Sequence, residues 1–242
     1  MYTKQSVDVQ VDGRTSSMEI LVFQPEGAGP FPGIMVAQHL PIAHEGLELD
    51  PFTIDVGDKL VAAGYACVIP YVFHWWPPET DVAVKREEFR DDWTVADLDA
   101  AYQVLCGLDK VDPDRTAIMG HCWGGRVSWL GACHNPNYKA MATLYGGRIK
   151  LAFGDGVPPI ELADRIPCPV IGIFGNDDMN PSPKDVTELD AALTAAGVEH
   201  KFHQYDGAGH GFQDFVNKER WRPEQTADSW ARVLAFFERL LK

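Results

Sequence analysis

The sequence predicts an α/β protein in which a mostly parallel central sheet lies between helices on both faces. Along most of the 242 residues, short apolar segments alternate with amphipathic ones. The central apolar runs are short and continuous, as is typical of strands covered on both faces. Strands that alternate with helices are joined by right-handed crossovers, so their carboxyl ends meet at one edge of the sheet. We therefore expect the chemistry to lie beyond that edge.

The elements follow in order from periodicity and from turn residues. Residues 7–11 alternate in polarity and form a first strand, and the Asp12-Gly13 turn leads to a second strand at residues 18–23. The remaining predicted strands are residues 33–37, 65–69, 116–119, 140–145, 170–174 and 200–205. The predicted helices are residues 54–63, 80–108 with Thr80 as cap, 123–133, 183–196 between Ser182 and Gly197, and 230–241.

Composition limits the classes of function. The formal net charge is −14, with 35 acidic and 21 basic residues, which argues against nucleic-acid partners and anionic membrane surfaces. No linker divides the chain, so we expect residues 1–242 to form a single domain. The five cysteines are odd in number and include no CxxC pair, which favours free thiols and a cytoplasmic location. No apolar leader or membrane span is apparent. We expect a monomer or homodimer without metal or cofactor.

The segment from Gly120 to Gly125 carries the strongest chemical signal. A predicted strand ends, Cys122 follows, and a helix begins at once, with Gly120 and Gly124 two residues before and after the cysteine. This spacing is typical of a nucleophile elbow, in which small residues let the strand and the helix approach closely. The helix N-terminus favours the thiolate. The backbone N–H of Trp123 would face a developing oxyanion.

A cysteine nucleophile needs a base, and the base needs an orienting acid. Asp177 and Asp178 follow the predicted strand at residues 170–174, and His210 follows the strand at residues 200–205. The order nucleophile, acid, histidine is that of α/β-hydrolases. Asp177 could instead cap a helix, and a histidine in a glycine-rich turn is commonly a surface residue. Because all three residues follow strand ends, we expect Cys122, an aspartate and His210 to act together in catalysis.

These motifs carry a family resemblance. Gly-His-Cys-Trp-Gly-Gly (residues 120–125), Phe-Gly-Asn-Asp-Asp (174–178) and Tyr-Asp-Gly-Ala-Gly-His-Gly-Phe (205–212) resemble the dienelactone hydrolase family of α/β-hydrolases. The resemblance spans about residues 32–237. It implies that the chain cleaves esters or lactones through a thioester, with a triad of Cys122, His210 and Asp178. It further implies an oxyanion hole formed by the backbone N–H groups of Trp123 and Leu40.

Two positions depart from the family pattern. His39 stands where well-studied members carry a glutamate that contacts the cysteine, and Asp214 stands where they carry a carboxylate-binding arginine. Asp214 would repel an anion, so we expect a neutral ester or lactone to be preferred. Arg86 and Arg90 are both candidates for a second family arginine, and Arg86, Arg90 or Arg148 could still bind an anion from another wall.

An aromatic run offers apolar contact for a substrate. Trp75 and Trp76 follow a predicted strand and precede two prolines. Such a run is commonly core, but here it is a candidate wall of the substrate site. Two other functions remain open: a general carboxylesterase or thioesterase on the same triad, and a non-catalytic redox sensor that uses Cys122.

Overall fold

A computed structural model describes residues 1–39 and 46–242. Within them, eight strands form one sheet in the order β1-β2-β4-β3-β5-β6-β7-β8. The strands are β1 (Tyr2–Val11), β2 (Arg14–Phe23), β3 (Phe31–Ala37), β4 (Ala66–Pro70), β5 (Val111–His121), β6 (Ala140–Leu144), β7 (Val170–Gly175) and β8 (His200–Tyr205). The β1–β2 and β2–β4 pairs are antiparallel, and every pair from β4 to β8 is parallel. The predicted mostly parallel sheet is confirmed.

Helices cover both faces of this sheet. They are α1 (Pro51–Ala62), α2 (Val82–Glu87), α3 (Asp91–Cys106), α4 (Trp123–His134), α5 (Pro183–Ala196) and α6 (Pro223–Leu241), with 3-10 turns at Leu47–Leu49 and Pro159–Arg165. One apolar cluster joins α3, α4 and α5 to the sheet, and a second joins α1 and α6 to the opposite face. Alternate strand residues divide between the two clusters, because side chains along a strand point to opposite faces. Ile118 of β5 belongs to the first cluster, whereas Ala117 and Met119 belong to the second.

Several predicted boundaries are confirmed and others are wrong. Ser182 caps α5 in a reciprocal capping box with Asp185, and Gly197 ends the helix in a left-handed conformation, as predicted. The single helix predicted for residues 80–108 is instead two helices, and Asp81 rather than Thr80 caps the first of them. Phe89 lies in the break between α2 and α3. Its buried ring packs on aromatic side chains of the core, so tertiary packing overrides the helical period there.

The ends of the elements also extend beyond the predicted ranges. α6 begins at Pro223 instead of Trp230. The prediction missed its first two turns because they are polar and show no apolar periodicity. β5 begins at Val111 instead of Thr116. Within the described ranges, no helix has both the length and the apolar character of a membrane span.

Candidate active site

Cys122 occupies a sharp turn between β5 and α4. Its backbone has φ 54° and ψ −119°, a conformation that side chains rarely adopt, and it is held by a hydrogen bond of 3.0 Å from its N–H to the Leu144 carbonyl. The close approach requires the flanking glycines. A Cβ at Gly120 would overlap the Gly124 carbonyl, and a Cβ at Gly124 would overlap the carbonyl of Ala37. The spacing of the glycines thus has the steric cause expected from the sequence.

Three residues from three loops meet at this turn. The Sγ of Cys122 lies 2.9 Å from Nε2 of His210, and Nδ1 of His210 lies 2.9 Å from Oδ2 of Asp178. The other oxygen of Asp178 accepts the backbone N–H of Asn180 at 2.7 Å, which fixes the carboxylate. Asp178 is buried, whereas the neighbouring Asp177 is exposed and does not bond to His210. The geometry therefore selects Asp178 as the partner of the imidazole.

The electrostatics favour an imidazolium at His210. Burial alone would lower its pKa, but hydrogen bonds and charges at Asp178 and Cys122 outweigh burial and raise it to about 10. Burial raises the pKa of the Cys133 and Cys168 thiols to about 12, which keeps them protonated and unreactive. Among the described cysteines, Cys122 alone contacts a histidine at hydrogen-bond distance and precedes a helix directly.

Cys122 opens into a cavity of about 690 Å³. Its lining comprises Arg86, Cys122, Trp123, Gly147, Arg148, Asp177, Asp178, Met179, Asn180, Gly209, His210, Glu219, Arg220 and Arg222. Trp123 is the first residue of α4, so its N–H has no intrahelical acceptor and is free to bind an oxyanion. Leu40, the second predicted oxyanion donor, lies outside the described residues.

The two tryptophans predicted as a substrate wall have other partners. The indole N–H of Trp75 donates to both oxygens of buried Asp97 at 3.1 and 3.2 Å. That of Trp76 donates to Glu88 at 2.8 Å. Both side chains are thus engaged with the α2–α3 region, and neither is among the described residues that line the cavity.

His39, Arg90 and Asp214 likewise lie outside this lining. Nε2 of His39 lies 2.6 Å from Oδ2 of Asp50, the residue that caps α1. Arg90 forms ion pairs with Asp92 and Asp155 at the surface. The Oδ1 of Asp214 accepts the N–H of Val216 at 3.0 Å and so closes a local turn. Of the substrate contacts considered from the sequence, Arg86 and Arg148 line the cavity and the others do not.

Arg148 is held at the cavity by a buried ion pair that the sequence did not suggest. Arg126 of α4 is fully buried and pairs with Asp91 through two hydrogen bonds of 2.6 and 2.9 Å. The same guanidinium donates to the carbonyls of Arg148 at 3.2 Å and Leu151 at 2.6 Å. These bonds fix the loop that follows β6. Arg148, which the sequence left open as an anion contact from another wall, lines the cavity.

Comparisons with known proteins identify relatives of this chain. Residues 18–241 match the model of the Dienelactone hydrolase family. The chain belongs to the dienelactone hydrolase family. It is 31% identical over 229 residues to a protein of Methylorubrum extorquens assigned as a carboxymethylenebutenolidase, covering 88% of this chain and 74% of that protein. It is 30% identical over 206 residues to the carboxymethylenebutenolidase of Rhodococcus opacus, covering 79% and 77%.

A solved structure shows the same fold. The crystal structure of a protein from Klebsiella pneumoniae assigned as a dienelactone hydrolase superposes with a TM-score of 0.79 at 26% identity, over 98% of this chain and 99% of that one. The predicted α/β-hydrolase fold is confirmed. This member of the dienelactone hydrolase family is accordingly a hydrolase.

Proposed function

We propose that the chain hydrolyses carboxylic esters or lactones through a covalent thioester on Cys122. In this proposal His210 is the general acid and base, and Asp178 orients the imidazole and stabilises its charged form. The observation that carries the proposal is the pair of 2.9 Å contacts that joins Cys122 Sγ to His210 and His210 to Asp178 at the floor of the cavity.

The chemistry runs in two halves. The Cys122 thiolate attacks the substrate carbonyl carbon, and the N–H of Trp123 stabilises the oxyanion, with that of Leu40 as the second donor implied by the family resemblance. The imidazolium of His210 then protonates the leaving alkoxide, and a thioester remains. In the second half, His210 takes a proton from water as the water attacks the thioester. Collapse releases the carboxylic acid and restores the cysteine.

The charge state of His210 supports this order of events. With its pKa raised to about 10, the imidazole is protonated at neutral pH and can act as an acid for the leaving group. A positive charge 2.9 Å from Sγ also favours the thiolate, which is the nucleophilic form. His210 thus starts the reaction in its charged form.

We further propose that the substrate carries a negative charge, which reverses the preference expected from Asp214. Arg86, Arg148 and Arg220 line the cavity, and none of them forms an ion pair with another described residue. Asp214 lies outside the lining, with one carboxylate oxygen occupied by a backbone N–H. Free guanidiniums at the mouth of a cavity attract a carboxylate even in a chain of net charge −14.

Turnover and trapping of the acyl-enzyme test the nucleophile. Wild-type enzyme should hydrolyse p-nitrophenyl acetate, and acid quenching followed by peptide mass spectrometry should find the acetyl group on Cys122. Cys122→Ala should lose both, whereas Cys106→Ala, a matched control at a half-buried cysteine, should keep both. Acetylation of another residue, or full turnover by Cys122→Ala, would refute the assignment. Rapid oxidation of Cys122 without any turnover would favour the redox sensor.

A matched substrate pair tests the charge preference. The measurement is kcat/KM for a lactone that bears a carboxylate and for its methyl ester. Arg148→Gln should raise KM for the carboxylate about tenfold, in line with the loss of one charged hydrogen bond, and leave the methyl ester unchanged. Arg90→Gln is the control, since Arg90 lies outside the cavity lining. Equal effects of Arg148→Gln on both substrates would contradict an anion contact.

A further inference from the structure

A buried chain of side chains connects the strand of Cys122 with the loop of His210. Nε2 of His121 lies 2.9 Å from Oε1 of Gln213, and Nε2 of Gln213 donates to Oγ of Ser229 at 2.7 Å. Ser229 in turn donates to the carbonyl of Thr226 at 3.0 Å within α6. His121 and Gln213 are each 2% exposed and Ser229 is fully buried. None of these side chains takes part in the proposed reaction.

The far end of the chain fixes its direction. The carbonyl of Thr226 can only accept, so the proton of Ser229 points toward it and Oγ of Ser229 accepts from the amide nitrogen of Gln213. The amide oxygen of Gln213 therefore faces His121, whose Nε2 must carry the proton. The network thus permits one orientation of Gln213 and one tautomer of His121.

His121 contributes geometry rather than proton transfer. Burial lowers its pKa to about 3, aided by the charges of His39 and Lys59 and opposed by the hydrogen bond with Gln213. The ring is therefore neutral across the working range of pH. It packs between Phe52 and Trp230, at centroid distances of 5.1 and 5.8 Å.

The two ends of the His121–Gln213 bond are the neighbours of the reacting groups. Cys122 follows His121 directly, and His210 lies three residues before Gln213. The loop of His210 crosses from β8 to α6, and the Gln213 side chain ties this loop to β5 on one side and to α6 on the other. Displacement of Gln213 would move His210 relative to the sulfur.

We propose that His121 and Gln213 are positioning residues that set the distance between Cys122 Sγ and His210 Nε2. The inference rests on the proposed function of the Cys122–His210 pair. A buried network that only stabilised the fold would alter the melting temperature and leave the reactivity of the folded enzyme unchanged. A positioning network alters the thiolate–imidazolium pair itself, because the strength of that pair depends on the separation of its two atoms.

The test compares Gln213→Met, which keeps the side-chain length and removes both hydrogen bonds, with Tyr102→Phe. The control removes a buried hydrogen bond of 3.2 Å between Tyr102 and Thr116, in the cluster on the face of the sheet opposite α6. Three quantities are measured: the melting temperature, kcat and KM for p-nitrophenyl acetate, and the pH midpoint of Cys122 alkylation by iodoacetamide. Gln213→Met should raise the alkylation midpoint by at least one pH unit and lower kcat about 10- to 100-fold with KM nearly unchanged.

Further variants separate the two hydrogen bonds of Gln213. Gln213→Glu retains the acceptor for His121 but has a donor for Ser229 only when its carboxyl group is protonated, so its kcat should fall between those of the wild type and Gln213→Met. If Gln213→Met does not fold, Ser229→Ala frees the far end of Gln213 and should shift the midpoint in the same direction by less. If Gln213→Met lowers the melting temperature as Tyr102→Phe does but leaves the alkylation midpoint and kcat unchanged, the positioning role is refuted while the proposed function still stands. A wild-type enzyme without turnover would refute the proposed function as well.

Discussion

Replacing Asp178 by asparagine should disable the imidazole while leaving the nucleophile in place. One oxygen of Asp178 accepts the backbone N–H of Asn180 at 2.7 Å, and the other faces Nδ1 of His210 at 2.9 Å. An asparagine must keep its oxygen toward the Asn180 N–H, so its NH2 group would face Nδ1. Two donors cannot share that contact, and His210 would turn to the tautomer that carries its proton on Nε2.

The magnitude follows from the charge that Asp178 supports. The pKa of His210 rises from 6.5 to about 10, which corresponds to about 5 kcal/mol of differential stabilisation. Asp178 and Cys122 share this effect, so roughly half, about 2–3 kcal/mol, is lost with Asp178. That loss lowers kcat/KM about 100-fold. The wrong tautomer adds to it and brings the expected loss toward about 10³–10⁴-fold.

The assay compares two esters of one acid. An alkyl ester needs a proton from His210 for its leaving group, whereas a p-nitrophenyl ester does not. Asp178→Asn should therefore lower kcat/KM more for the alkyl ester than for the p-nitrophenyl ester. Asp177→Asn removes the same charge from the same cavity and is the matched control. Full activity in Asp178→Asn together with loss in Asp177→Asn would refute the assignment of the acid.

Three other outcomes are expected. Because the pKa of His210 is raised, its imidazolium persists above pH 6.5 and is lost as the pH rises through about 10. We therefore expect kcat/KM to fall as the pH approaches 10. An activity that appears only as the imidazole becomes neutral near pH 6.5 would contradict a charged His210. Brief labelling with iodoacetamide at neutral pH, read by mass spectrometry, should modify Cys122 before Cys106, whose pKa is raised by burial; the reverse order would count against the elbow. Gly124→Ala should lower the unfolding free energy by about 1–3 kcal/mol in thermal melts, whereas Gly156→Ala, where a Cβ meets nothing within 4 Å, should change it little.

The positions of the strand ends predicted which side chains meet at the cavity, because this argument depends only on local signals in the sequence. Cys122, Asp178 and His210 each follow a short apolar run, and parallel strands bring those ends together. The glycines around Cys122 added a steric constraint that is visible in the sequence and recurs in the structure. The predicted element order was likewise obtained from periodicity and turn residues.

The walls of the cavity could not be predicted in the same way. Arg220 and Arg222 lie in an irregular stretch before α6 whose path is set by distant contacts. Nε of Arg222 donates to the Gly207 carbonyl at 2.8 Å, and its backbone N–H donates to the carbonyl of Phe212 at 2.9 Å. Such long-range contacts leave no periodic pattern in the sequence, so the sequence did not predict them. Trp75, by contrast, is a residue type that is common in substrate sites, but its indole N–H donates a hydrogen bond to the buried carboxylate of Asp97.

Backbone strain around the cavity explains why a rigid sheet is needed beneath it. Cys122, Tyr145 and Arg148 all have positive φ, at 54°, 39° and 58°, and such conformations cost about 1–3 kcal/mol each. Each strained N–H donates to a neighbouring segment: to Leu144 at 3.0 Å, to Ile173 at 2.7 Å and to the Asn180 side chain at 3.2 Å. The ends of β6 and β7 therefore supply the acceptors that hold Cys122 and Tyr145, whereas a side chain in the loop after β7 supplies the acceptor for Arg148. Because the carbonyls of Leu144 and Ile173 lie on buried parallel strands, the strain at Cys122 and Tyr145 cannot relax without disrupting the sheet, and the sulfur stays aimed at the cavity.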